Sequence, residues 1–190
     1  MIPLRIQPTP LWGPWRAGAL ALVVLGCGGK LFTIDVSEQA TTVIPGATLL
    51  ETLAGDLGFG SFVSMNISEA EELKNQGVAP GDIRESYLVE FTLEATDPPG
   101  ADLSWIDAMD LYVTAPDLPE VRIASLDDFP EGVSAVSFDL DDVDLTDWIV
   151  SESMTLTTDV TGRRPPEETT VTASFVLEVG VTQQGLCNNL

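Results

Sequence analysis

Along residues 87–95 the side chains change character at every step. Tyr87, Val89, Phe91, Leu93 and Ala95 fall on one side, with Leu88, Glu90, Thr92 and Glu94 on the other. A repeat of two is the geometry of an extended strand, whose successive side chains leave on opposite faces, and it is out of step with the 3.6-residue turn of a helix. The same beat returns over residues 171–181, where Val171, Ala173, Phe175, Leu177, Val179 and Val181 alternate with Thr172, Ser174, Val176, Glu178 and Gly180. Each run predicts a strand with one face on a core and the other wet. Phe32, Ile34 and Val36 set against Thr33, Asp35 and Ser37 predict another. Runs at 63–67, 109–114, 121–126, 133–140 and 154–160 complete a set of about eight.

What separates the runs narrows the architecture. "GDLGFGS", "TDPPG", "APDLPE", "DDFPEG" and "GRRPPEE" are Gly, Pro and Asp turns, too short to hold the crossover helices that parallel pairing requires. The fold class is therefore all-β: an antiparallel β-sandwich, jelly-roll or immunoglobulin-like, with a β-barrel as the alternative. One short helix is expected at "SEAEELKNQG", where Ser68 is placed to cap, Glu71 completes an S-x-x-E box and Gly77 closes the end. An internal echo stands out: "DLSWIDAMDLYVT" from Asp102 and "DLTDWIVSESMTLT" from Asp144 each read Asp-Leu-Ser/Thr, then Trp-Ile, then a strand. Trp105 and Trp148 are expected to plug the two ends of the sandwich, each indole N–H meeting a carbonyl or water. A ligand-stacking pair is the sharper reading.

The first thirty residues follow other rules. Arg5 and Arg16 precede an apolar run over 17–25, about half the roughly 20 residues that a helix needs to cross a bilayer. Positive residues, an apolar run and then small residues are the order of a secretory signal. The run closes on "VLGC", residues 24–27: an aliphatic residue, two small or aliphatic ones, and Cys27. This resembles the lipobox of bacterial lipoproteins. The resemblance implies that residues 1–26 are a signal peptide that is removed, and that Cys27 becomes a lipidated N-terminus. Residues 27–190 would then form a single acidic domain, held by acyl chains in the envelope of a Gram-negative-type bacterium. Gly28, where an Asp marks inner-membrane retention in enteric lipoproteins, directs the expectation to the outer membrane. With its sulfur acylated, Cys27 leaves Cys187 without an internal disulfide partner.

After Cys27 the chain carries six basic side chains against thirty acidic ones, a net charge of −24. Nucleic-acid affinity depends on Lys and Arg displacing counterions from phosphates, so nucleic acid is excluded as a partner. The same charge repels anionic headgroups, so the membrane contact must be covalent. The chain has no histidine, which removes the commonest general base and the imidazole of most transition-metal sites. Lys30 and Lys74 are the only lysines and build no S-x-x-K pair.

Carboxylates remain. The densest group is "DLDDVDLTD", where Asp139, Asp141, Asp142 and Asp144 are candidate calcium ligands, although no register of it fits an EF-hand loop. The plain alternative is that Asp139 and Asp141 face solvent while Asp144 caps the turn before Trp148. Arg163 and Arg164, at the tip of what reads as the last hairpin, are candidates for docking an oxyanion. Together these features favour a binding or structural module with a protein or glycan partner, without a cofactor, over a catalyst. A calcium-dependent adhesion or carbohydrate-binding module is the alternative, and a carboxylate hydrolase a distant third.

Overall fold

The computed structural model describes residues 32–47, 52–55, 57–59, 62 and 65–182. Cys27 and Cys187, and residues 1–26, expected to be a signal peptide, lie outside these residues. Within them the chain forms two antiparallel sheets facing each other across one core. Nine strands occur, in chain order β1 (Phe32–Ile44), β2 (Thr52–Gly55), β3 (Tyr87–Asp97), β4 (Ile106–Ala115), β5 (Leu118–Asp127), β6 (Ala135–Ser137), β7 (Asp139–Leu140), β8 (Thr155–Arg163) and β9 (Thr169–Val181). Two short helices accompany them, α1 (Glu71–Asn75) and α2 (Thr146–Ile149). One sheet has the order β1-β9-β3-β6 and the other β2-β8-β4-β5-β7. The two do not close on each other, so the architecture is the sandwich and not the barrel.

The period-two runs bury the faces expected of them, with instructive exceptions. In β9 every odd position from Val171 to Val181 is at most 1% exposed, while Ser174 and Val176 are only partly covered. In β3 the expected register fails at its start. A bulge between Leu88 and Glu90 inserts one residue, so Leu88 enters the core at 5% exposure and Val89 faces outward at 46%. Beyond the bulge Phe91, Leu93 and Ala95 point inward as expected.

Two expected strands take a different form. The run at 133–140 divides at Phe138: β6 pairs with β3 in one sheet, and β7 pairs with β5 in the other. One short stretch thus changes sheets and closes that side of the core. Of the run at 63–67, the described residues make a single bridge, Met65 to Met154, before a 3-10 turn at Ile67–Glu69. The strand on that side is instead β2, paired with β8.

The expected helix is also shorter. Its N-cap position is Ala70, without a side-chain cap, while the Ser68 hydroxyl donates to Asn66 Oδ1 at 2.9 Å within the 3-10 turn. Gly77, at φ 69°, closes the C-terminus as expected, its N–H bonded to Lys74 O at 2.9 Å. α2 is a second short helix, arising from the Asp144 copy of the echo.

Six of the seven phenylalanines form a row through the core. Phe59 stacks toward Phe62 at 5.8 Å between ring centroids, and Phe62 meets Phe175 edge-on at 5.1 Å. Phe175 is the register partner of Phe91, which packs edge-on against Phe138 at 4.8 Å, with Phe129 beyond at 6.0 Å. Such tilted contacts suit the ring quadrupole and add to the area buried. The row spans the interior from the β1 side to the point where β6 hands over to β7.

Candidate functional site

β8 pairs with β2 and β4, whereas β9 pairs with β1 and β3. The stretch between them, expected to be a hairpin tip, is therefore an arch from one sheet to the other. The link from β3 to β4 is a second such arch, since these strands also lie in different sheets. Both roof the same end of the sandwich, and between them lies a cleft of about 280 Å³. Pro98, Pro99, Gly100, Ala101, Asp102 and Trp105 line it from one arch, and Pro165, Pro166 and Glu167 from the other, with Thr169 at the start of β9.

Local chemistry fixes each wall. Asp102 Oδ1 accepts both the N–H of Ser104 at 3.1 Å and its hydroxyl at 2.7 Å, which folds the chain back before β4. The turn drops Leu103 fully into the core and brings the Trp105 indole N–H onto Asp102 O at 2.9 Å. The second arch is pinned to the first, because Arg163 N–H donates to Trp105 O at 2.8 Å. Gly162 permits that approach, since a Cβ there would sit 2.4 Å from Trp105 O. On its far side the arch accepts a hydrogen bond at Pro165 O from Ala47 N–H, 3.0 Å long. Gly46 lies so close that a Cβ would fall 2.6 Å from the backbone of Glu167. Prolines with fixed φ, clamped from two directions, make a cleft with little freedom to lose on binding.

The echo gives a matching turn at the opposite end. Asp144 Oδ1 accepts Thr146 N–H at 3.0 Å and its hydroxyl at 2.6 Å, and also the N–H of Ser86 at 3.2 Å. Leu145 is fully buried like Leu103. Partial burial pushes the Asp144 carboxyl upward, but the bonds from Thr146 and Ser86 outweigh it and hold the group below the ordinary carboxylate range. Trp148 follows, half-buried, its indole N–H donating to Pro119 O at 3.2 Å beside the β4–β5 turn. The two Trp thus stand at the two ends of the sandwich, each bonded to a carbonyl, and do not form a stacking pair. Trp105 is 5% exposed and offers no open face to a flat ligand.

The other sequence candidates are scattered. Asp141 accepts Arg122 Nε at 2.9 Å, and Arg122 also reaches Asp110 at 3.4 Å across β4 and β5. The hydrogen bond and charge of Asp141 raise the Arg122 pKa above its usual value. Asp139 and Asp142 are exposed. Among the described residues no three acidic or thiol side chains gather as a metal shell. Arg163 and Arg164 flank the cleft, yet neither lines it. Sequence reading missed Pro98, Pro99, Pro165, Pro166, Asp102 and Glu167. The signal was present: the chain contains two Pro-Pro dipeptides, and the fold brings them into one cleft. Among the described residues no helix is long and apolar enough to cross a membrane. The chain matches no known family model, and no curated protein matches its sequence.

Proposed function

We propose that this chain is a lipid-anchored protein of the bacterial envelope, held at Cys27 in the outer membrane. In this reading it acts as a binding module whose membrane-distal end is the binding face. The observation that supports the reading is the placement of the chain's two ends of interest. Phe32 opens β1 opposite Val181, whereas Ile44 and Thr169 meet at the other end of the same ladder, where Thr169 lines the cleft. β9 runs 13 residues between these ends, about 40 Å at the rise of an antiparallel strand. Phe32 follows Cys27 by five positions, a reach of at most about 17 Å. A lipid at Cys27 would therefore hold the Phe32 end near the bilayer and direct the cleft outward. The net charge of −24 after Cys27 agrees with a domain that stands off an anionic surface and is tethered only by acyl chains.

The test is metabolic labelling of the full chain in a Gram-negative host. Labelled palmitate should enter the wild-type protein, and Cys27→Ser should remain unprocessed and unlabelled. A Cys27→Ser protein that keeps both the membrane fraction and the mass shift overturns the reading.

A further inference from the structure

We propose that the cleft binds a cationic group on a short aliphatic stem, an alkylammonium or guanidinium of the kind carried by Lys and Arg side chains. The inference deepens the reading of this end as the binding face, and does not depend on the lipid. Size comes first. At about 280 Å³ the cleft falls at the foot of the ~300–1,000 Å³ range of sites for drug-sized ligands, which suits a single side chain. Wall chemistry comes next. Four of the ten lining residues are prolines, which present C–H surface and have no backbone N–H, so the walls suit methylenes and are poor at collecting donors for an anion. The two ionisable side chains in the lining are Asp102 and Glu167, and no Lys or Arg is among them. Asp102 uses Oδ1 to hold Ser104, which leaves Oδ2 for a donor from outside. Apolar walls beside the half-buried Asp102 strengthen a charge-assisted hydrogen bond there by thinning the water around it, while Glu167 adds its charge from the exposed rim. A sugar fits less well, since Trp105 has no open face for stacking. The surrounding charge of −24 draws cations toward the cleft and repels anions.

Binding is tested on the full chain in a neutral detergent, by following the indole N–H resonances of Trp105 and Trp148. The probes are Nα-acetyl-lysine methylamide, its uncharged analogue Nα-acetyl-norleucine methylamide, which keeps the aliphatic stem and lacks the ammonium, and 1,4-diaminobutane. The lysine derivative should shift the Trp105 resonance saturably and leave Trp148 unmoved, and the norleucine derivative should do neither. Asp102→Asn, which keeps the Oδ1 acceptor for Ser104, and Glu167→Gln should each weaken binding tenfold or more. Asp142→Asn, which removes the same charge outside the cleft, should leave affinity unchanged. If the diamine binds as tightly as the lysine derivative, the source is a free amine; if it binds far more weakly, the source is a peptide-borne side chain. Equal binding of the norleucine derivative, an unsaturable response, or equal shifts at Trp105 and Trp148 would each overturn the proposal. None of these outcomes bears on Cys27, so this proposal and the lipid reading fail independently.

Discussion

At Gly162 the backbone of β8 passes under the carbonyl of Trp105 with no space for a side chain, and that contact joins the two walls of the cleft. Forcing a methyl group into a packed position costs about 1–3 kcal/mol. Gly162→Ala should therefore lower the melting temperature and move the Trp105 indole resonance, while Gly81→Ala, with nothing within 4 Å, should do neither. Asp144 works at the other end through its charge. Its carboxyl titrates lower in the folded chain than in the unfolded one, because Thr146 and Ser86 donate to it. A lowered folded pKa means a contribution that is complete above the ordinary carboxylate value of about 4 and is lost as the pH falls through the folded value. Asp144→Ala should cost about 1 kcal/mol at neutral pH, the typical loss for a capping side chain. In melting curves taken from pH 7 downward, the gap between wild type and variant should close in strongly acid solution. A constant gap would assign the loss to packing instead.

The strands allow a sharper comparison, because alternation makes opposite predictions for neighbours. Phe175 lies at the middle of the phenylalanine row, 1% exposed, and Ser174 faces away. Phe175→Ala should cost about 3–5 kcal/mol, and Ser174→Ala only a few tenths. In β3 the bulge reverses what simple alternation implies, so Leu88→Ala should cost about 2–5 kcal/mol and Val89→Ala very little. The opposite order would place the bulge elsewhere. These residues also show what the sequence made legible. Long period-two runs carry their own register, so the faces of β9 and of β3 from Phe91 onward could be read directly. A bulge is a single inserted residue that changes no composition, and it escaped. The change of sheet at Phe138 escaped for a similar reason, since a strand pattern records which residues face a core but not which sheet supplies the partners. For the same reason the arch between β8 and β9 read as a hairpin. Missing the arches meant missing the cleft, and the two Pro-Pro dipeptides read as independent turns. The Asp102 and Asp144 turns were legible because their hydrogen bonds are local, between residues two apart.

Over the whole molecule, charge sets the response to ions. Thirty carboxylates against six basic groups after Cys27 repel one another, and any divalent cation at millimolar level relieves part of that repulsion. Calcium and magnesium should raise the melting temperature slightly and equally, without saturation, and Asp141→Asn with Asp142→Asn should leave that response in place. A saturable, calcium-selective rise that those substitutions abolish would establish a true site. The ladder between β1 and β9 has a further consequence for an anchored molecule. A pull between a lipid at Cys27 and a partner in the cleft enters at Phe32 and leaves at the opposite end, along the strands. The thirteen register pairs of that ladder have hydrogen bonds perpendicular to the strands, so such a force loads them together in shear and does not peel them one by one. A domain anchored at Cys27 and bound through the cleft would thus act as a mechanical link, strongest along the line that joins membrane to partner.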